Sequence, residues 1–137
     1  MGRDASAKGE KIMIAALAVA AGGALGAMAR YGVGVATTKM WGQNFPYGTL
    51  GLNILGCFVM GLLIGAFAMK GPVDPTLKLF LTTGVLGGFT TFSAFSLETI
   101  MLYERKPLLA FVYVAASVIF SILACWIGLR LMRGASA

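Results

Sequence analysis

The sequence contains no histidine and only two cysteines, and each cysteine, Cys57 and Cys125, lies within an apolar segment. Such a chain lacks the residues for a zinc cluster, a Cys/His catalytic pair or a disulfide framework. Charged residues are scarce as well, at 12% of the chain against roughly 25% in a typical soluble domain. These absences argue against a metalloenzyme, a thiol protease and a soluble globular domain.

Apolar residues dominate instead, since they make up 58% of the 137 residues. Four apolar segments are each long enough, at about 1.5 Å per residue, to cross a hydrocarbon core of roughly 30 Å. They are residues 12–29, 48–69, 77–103 and 108–129. The sequence therefore predicts an all-α membrane protein with four transmembrane helices, whose short connections leave no room for a soluble catalytic domain.

The ends of these segments divide the chain into one membrane domain and two tails. We expect a flexible N-terminal tail at 1–11, a four-helix transmembrane domain at 12–130 and a C-terminal tail at 131–137. The first apolar run has the outline of a secretory signal peptide, but it is longer than the usual core of about 7 to 15 residues. We therefore expect it to remain in the protein as a membrane span.

The net charge of +6 lies almost entirely in the tails and connections. This distribution favours contact with anionic lipid headgroups over nucleic-acid binding. With four spans, seven basic residues fall on one side of the membrane and four on the other. Because this orientation signal is weak, insertion in both orientations is one interpretation and would allow an antiparallel homodimer. An ordinary single topology is the other.

The third apolar segment contains the run GGFTTFSAFS at 87–96. Paired glycines weaken a helix by roughly 1 kcal/mol each relative to alanine. Unsatisfied backbone groups in hydrocarbon cost several kcal/mol, so irregular backbone is tolerated there only around an ion, a partner or a water-filled passage. We therefore predict that the third helix is broken near Gly87 and that the break belongs to a pore.

Two phenylalanines in this run, Phe92 and Phe95, lie three positions apart among four threonines and serines. Rings at this spacing ordinarily pack in a core or against lipid. The edge of an aromatic ring carries partial positive charge, however, and neighbouring hydroxyl donors help to desolvate an anion. The run therefore favours an anion path over a cation path, with simple packing as the alternative.

Polar residues recur every four positions in two other spans. They are Tyr113, Ser117, Ser121 and Cys125 in the fourth span, and Thr49 and Asn53 in the second. Residues four apart share a helix face, and several polar groups in register inside a membrane favour a lined path. The alternatives are a serine bonded back to the carbonyl four residues earlier and an asparagine that bonds across helices.

Charged and small residues complete the set of candidates. Glu98 is the one acidic residue deep enough to count as intramembrane, although it is also close to a helix end. Arg30, at the end of the first predicted span, is either a snorkelling anchor or a residue that concentrates anions at a pore mouth. Glycines four apart are assigned to close helix packing. These pairs are Gly22 with Gly26, Gly61 with Gly65, and Gly84 with Gly88.

The chain resembles the Fluc family of small bacterial fluoride channels. The similarity runs from about residue 20 to residue 129 and is carried by GAMARY at 26–31, GTLGLN at 48–53 and GVLGGFTTFSAFSLE at 84–98. The third motif is long and specific, whereas the first two alone are weak.

The resemblance implies an antiparallel, dual-topology homodimer with two fluoride pores. It implies that the ring edges of Phe92 and Phe95 meet fluoride and that Asn53 is the pore amide. It also implies that the backbone carbonyls of Gly87 and Thr90, from both subunits, hold a structural sodium ion at the dimer interface.

The remaining sites implied by the resemblance form a polar track and a vestibule. The track residues are Tyr113, Ser117 and Ser121, with Thr49, Ser93 and Glu98 nearby. Arg30 matches the basic residue of the aqueous vestibule. Cys125 stands where the four-residue rhythm predicts another hydroxyl, and a thiol is a poor hydrogen-bond donor.

The predicted function is a passive, fluoride-selective channel in the bacterial inner membrane that exports fluoride, confers fluoride resistance and is not an enzyme. One alternative is a proton-coupled exporter of cationic compounds, which would use a carboxylate in the first span, where 12–29 has none. The other is a membrane assembly subunit that transports nothing and whose polar stripes serve only helix packing.

Overall fold

The computed structural model describes residues 2–134, and all of the regular structure within this range is helical. The elements are α1 (Gly2–Trp41), α2 (Tyr47–Met69), α3 (Pro75–Leu79), a π-helical segment (Phe80–Leu86), α4 (Gly87–Phe89), α5 (Phe92–Arg105) and α6 (Pro107–Gly134). The π-helical segment and α4 continue directly from α3, so the four elements from α3 to α5 form one interrupted span.

Four spans in the described residues are long and apolar enough to cross a membrane, which confirms the predicted all-helical, four-span architecture. They are Ser6–Trp41, Tyr47–Met69, Pro75–Arg105 and Pro107–Gly134. Only 11% to 22% of the most apolar window of each span is buried within the chain. The apolar side chains therefore face mainly outward, as expected for helices solvated by lipid or by other membrane helices.

The first helix is longer at both ends than the apolar run that predicted it. It begins at Gly2, within the residues assigned to a flexible tail, because alanine, lysine and glutamate in that stretch are good helix formers. It continues past Arg30 to Trp41 and ends where Gly42 adopts a φ of 74°, a conformation that suits glycine. At the other end of the chain, α6 extends to Gly134, and the last three residues of the predicted C-terminal tail lie outside the described range.

The interruption of the third span consists of two residues in extended conformation. Thr90 has φ and ψ of −83° and 157°, and Thr91 has −152° and 123°. Gly87 itself is helical, with φ and ψ of −63° and −37°. A Cβ atom on Gly88 would lie 2.5 Å from the Gly23 carbonyl oxygen, so Gly88 allows α4 to pack closely on α1.

The predicted glycine pairs lie at the closest helix contacts, which confirms their packing role. A Cβ atom on Gly22 would lie 2.5 Å from the Phe80 carbonyl oxygen in the π-helical segment. A Cβ atom on Gly61 would collide with the Cys125 carbonyl oxygen of α6. Two pairs of helices, α1 with the third span and α2 with α6, thus pack backbone to backbone.

We expect Gly61→Ala to destabilise the folded protein by about 1 to 3 kcal/mol, because the added methyl group overpacks the contact between α2 and α6. Unfolding in detergent, followed by circular dichroism, measures the change. Gly51→Ala is the matched control, because Gly51 is also in α2 and a Cβ atom there meets nothing within 4 Å. Equal stabilities of the two variants would contradict this account of the contact.

Candidate functional site

A cavity of about 300 Å³ lies between α2, the interruption of the third span and α6. We call it the inner cavity. Its lining residues are Asn53, Cys57, Thr90, Thr91, Phe92, Phe95, Ser117, Val118, Ser121 and Ile122. The structure thus brings five of the residues predicted to line a pore, on three different spans, to the wall of one cavity.

A second, larger cavity of about 530 Å³ contains two arginines, and we call it the arginine cavity. Arg30 and Arg105 line it together with Thr49, Glu98 and Thr91, and residues 42, 43 and 45–48 also line it. It therefore opens near the first and third connections of the chain. Because Thr91 lines both cavities, they adjoin at the interruption of the third span.

Glu98 is the centre of a hydrogen-bonded cluster beside the arginine cavity. Thr49 Oγ1 donates to Glu98 Oε1 at 2.8 Å, and the Tyr113 hydroxyl donates to Glu98 Oε2 at 2.9 Å. Tyr113 is fully buried and Thr49 is buried. Each carboxylate oxygen of this intramembrane acid therefore has a neutral donor. The sequence left open whether Glu98 simply reaches water, and the structure gives it two fixed partners.

Ser117 and Ser121, the next two residues of the α6 stripe, have buried Oγ atoms without a well-formed hydrogen bond among the described residues. The Cys57 thiol lies beside Ser121, but a thiol is a weak hydrogen-bond partner. Neither hydroxyl bonds back to its own helix. By contrast, Ser96 Oγ donates to the Phe92 carbonyl oxygen at 2.8 Å. A buried polar group left unpaired costs roughly 1 to 3 kcal/mol, so two unpaired hydroxyls on one cavity wall indicate a place for a hydrogen-bonding ligand.

Three aromatic rings form a row that links the inner cavity to the Glu98 cluster. The centroids of Phe92 and Phe95 are 5.4 Å apart, and those of Phe95 and Tyr113 are 5.3 Å apart. Phe95 is buried, whereas Phe92 is 78% exposed. The outermost ring of the row therefore lies at the surface of the single chain.

The other predicted site residues lie at the edges of this arrangement. Ser93 is exposed and lines neither cavity, although its hydroxyl is 3.3 Å from that of Thr91. Cys125 is half-buried and does not line the inner cavity. Arg30 is half-buried in the middle of α1 rather than at a helix end, because the helix continues to Trp41.

Two further residues of the site were not singled out from the sequence. Thr91 is buried at the junction of the cavities, and its hydroxyl caps α5 by accepting the Ala94 amide at 3.2 Å. A threonine directly before the first residue of an apolar helix is a recognisable N-cap pattern. Arg105 lines the arginine cavity. Residue spacing could not predict this, because Arg105 lies in the connection between two predicted spans.

Asn53 pairs with the interrupted backbone. Its Nδ2 donates to the Thr91 carbonyl oxygen at 3.1 Å, and its Oδ1 accepts the Thr91 amide at 2.9 Å. The nearby Thr90 forms two hydrogen bonds to the preceding helical turn. Its amide and its hydroxyl both donate to the Leu86 carbonyl oxygen, at 3.0 and 2.9 Å.

Four spans, two adjoining cavities and buried hydroxyls without partners define a class of protein: a multi-pass membrane protein built to conduct or transport a small polar solute. Comparison with known proteins gives the family. Residues 17–129 match the family described as CrcB-like protein, camphor resistance (CrcB), and the chain belongs to this family.

Named relatives agree with that assignment. The fluoride-specific ion channel FluC of Agrobacterium fabrum is 49% identical over 122 residues, which cover 88% of this chain and 98% of that protein. The protein of the same name from Granulibacter bethesdensis is 50% identical over 123 residues, covering 88% and 96%. The resemblance to fluoride channels inferred from three motifs is confirmed. The chain is thus a multi-pass protein of the bacterial inner membrane.

Removing the Tyr113 hydroxyl tests the Glu98 cluster. We expect Tyr113→Phe to lower the free energy of unfolding by about 1 to 3 kcal/mol, because one oxygen of a half-buried carboxylate loses its donor. Thermal unfolding in detergent measures the change. Tyr103→Phe provides the control, since Tyr103 is 54% exposed and its ring contact with Phe111 does not need the hydroxyl. An unchanged free energy of unfolding in Tyr113→Phe would show that the Glu98 cluster does not stabilise the fold.

Proposed function

We propose that this chain forms a passive, fluoride-selective channel that lets fluoride leave the cell and so confers fluoride resistance. One observation carries the proposal: the unpaired hydroxyls of Ser117 and Ser121 face the same cavity as the rings of Phe92 and Phe95. The printed name of the relatives, fluoride-specific ion channel, identifies the ion that suits this cavity. A channel of this kind moves an ion without covalent chemistry and is not an enzyme.

The inner cavity has the chemistry of an anion site. A serine hydroxyl donates one hydrogen bond, and the edge of a phenylalanine ring carries partial positive charge. Fluoride is small and strongly hydrated, so its release from water requires several donors in a narrow path. No charged side chain of the described residues lines the inner cavity. Neutral donors bind the anion strongly enough for entry and weakly enough for exit.

The arginine cavity supplies the approach to this site. Arg30 and Arg105 raise the local concentration of anions at the side of the first and third connections. From there the α6 stripe leads inward, from Tyr113 at the Glu98 cluster to Ser117 and Ser121 in the inner cavity. Glu98 orients the hydroxyls of Thr49 and Tyr113 at the point where the two cavities approach each other.

The channel assembles, in this proposal, as an antiparallel dual-topology homodimer. Phe92 is 78% exposed although it lines the inner cavity, so a second subunit would close that cavity on its open side. The weak asymmetry of basic residues supports insertion in both orientations. Pairing of the third spans would place the two interruptions, and the exposed Ser93 beside each of them, near the dimer axis.

A structural sodium ion is the cofactor of the proposed dimer. The Gly87 carbonyl lacks a helical partner, because the amide four residues later, that of Thr91, donates to Asn53 Oδ1. Thr90 is extended, which turns its carbonyl out of the helix. The donor set therefore fits a hard monovalent cation, with two carbonyls from each subunit. When bound, the ion supplies fixed positive charge near the anion paths and holds the subunits together.

Fluoride efflux from proteoliposomes tests the function. A potassium gradient with valinomycin sets the membrane potential, and ion-selective electrodes follow fluoride and chloride in parallel. We expect rapid fluoride release that is proportional to the amount of protein, without chloride release. Absence of fluoride release from folded protein would overturn the proposal and favour the assembly-subunit interpretation, whereas release that depends on a proton gradient would favour a coupled exporter.

Ser117→Ala combined with Ser121→Ala tests the hydroxyl wall of the cavity. We expect fluoride efflux to fall at least about tenfold, because hydrogen bonds to a charged group are worth about 1.5 to 3 kcal/mol each. Stability should be unchanged or higher, because neither buried hydroxyl has a well-formed hydrogen bond to lose and the thiol beside Ser121 is a weak partner. Ser96→Ala is the control, since that hydroxyl is already bonded to its own helix. Normal efflux in the double variant would remove this wall from the permeation path.

A further inference from the structure

The two extended residues of the third span are not of a type that breaks a helix by itself. Thr90 and Thr91 are β-branched but adopt helical conformation readily enough, and the prolines nearest to them in sequence are Pro75 and Pro107. The glycines just before them are helical. Helix propensity at Thr90 and Thr91 therefore does not by itself explain their extended conformation.

Asn53 contacts the extended Thr91 through a pair of hydrogen bonds. A carboxamide presents one acceptor and one donor side by side, which matches the amide and carbonyl of a single extended residue. Asn53 Oδ1 accepts the Thr91 amide at 2.9 Å, and Nδ2 donates to the Thr91 carbonyl oxygen at 3.1 Å. Both bonds reach across 38 positions of sequence and join α2 to the interruption.

The hydrogen bond from the Thr91 amide to Asn53 Oδ1 leaves the Gly87 carbonyl without its usual helical partner. In a continuous α-helix the Thr91 amide would donate to the carbonyl of Gly87, four residues earlier. Because that amide is taken by Asn53, the Gly87 carbonyl is released. The Thr91 side chain completes the arrangement by capping α5 at Ala94, so that the helix restarts at once.

We propose that Asn53 is a positioning residue that holds Thr91 extended and thereby releases the Gly87 carbonyl to bind the cation. The cation part rests on the proposed function. Asn53 thus couples the two sites of the protein, because its side chain lines the inner cavity while its hydrogen bonds shape the carbonyl site. Its Nδ2 retains a second N–H for an anion in the cavity, since only one is used by Thr91.

The pairing is measured first in the wild-type protein. Solid-state NMR on proteoliposomes, with ¹⁵N in the asparagine side chains and ¹³C at threonine carbonyls, reports a dipolar coupling between Asn53 Nδ2 and the Thr91 carbonyl carbon. We expect this coupling to be present. Its absence overturns the proposal, and the measurement depends neither on fluoride transport nor on the folding of a variant.

Variants of Asn53 test whether sodium binding depends on its side chain. Sodium in place of N-methylglucamine should raise the unfolding temperature of the wild-type protein and shift the Gly87 carbonyl resonance. We expect Asn53→Leu, which keeps the branched shape and the number of side-chain heavy atoms, to lose both responses, and Asn53→Asp, which keeps only the acceptor, to lose most of them. Thr49→Val is the matched control, because Thr49 lies one turn earlier on α2 and its bond is to Glu98. It should keep both responses.

These outcomes distinguish a failure of the Asn53 proposal from a failure of the proposed channel function. Sodium responses that survive in Asn53→Leu overturn the positioning role even if fluoride efflux is lost. An absence of any sodium response in the wild-type protein overturns the cation part, whatever the efflux assay gives. Loss of the responses in Asn53→Leu together with their retention in Thr49→Val supports the proposal, including in a protein that releases no fluoride.

Discussion

The paired hydrogen bonds between Asn53 and the backbone of Thr91 are the interaction on which the site depends. Hydrocarbon supplies no partner for a free amide or carbonyl, so an interrupted membrane helix requires another group of the protein to satisfy its backbone. One carboxamide from α2 does this for one residue of the third span. The same contact places α2, the interruption and α6 around one cavity.

The rest of the site follows from how the helices approach one another. Glycines let α2 lie directly against α6 and α1 against the third span. The space not filled by these contacts remains at the centre, where hydroxyls and rings face it. Glu98 supports this space from one side, since it holds residues of α2 and α6 through its two oxygens. The polar contacts therefore join the third span to α2 and α6, the two helices that the glycine contacts already hold against each other.

Hydrophobic length and residue spacing predicted the four spans, the glycine contacts and the hydroxyl stripe of α6. These features repeat along the chain, so a local pattern reveals them. The end of α1 was not predictable from hydropathy, because Arg30 interrupts the apolar run but not the helix. The sequence pointed to the glycines as the weak place in the third span, whereas the extended residues are Thr90 and Thr91. Their conformation depends on a side chain 38 positions away, and no local pattern records that pairing.

Thr91 lines both cavities, and this shared wall has an electrical consequence. Where aqueous cavities reach into a membrane protein, little voltage falls across the water, and most of it falls across the thin remaining barrier. An elementary charge that crosses a potential of 100 mV gains about 2.3 kcal/mol. In this protein the wall between the two cavities includes Thr91, so that work would be concentrated there if both cavities held water. The membrane field would then act on the permeating anion mainly across that wall.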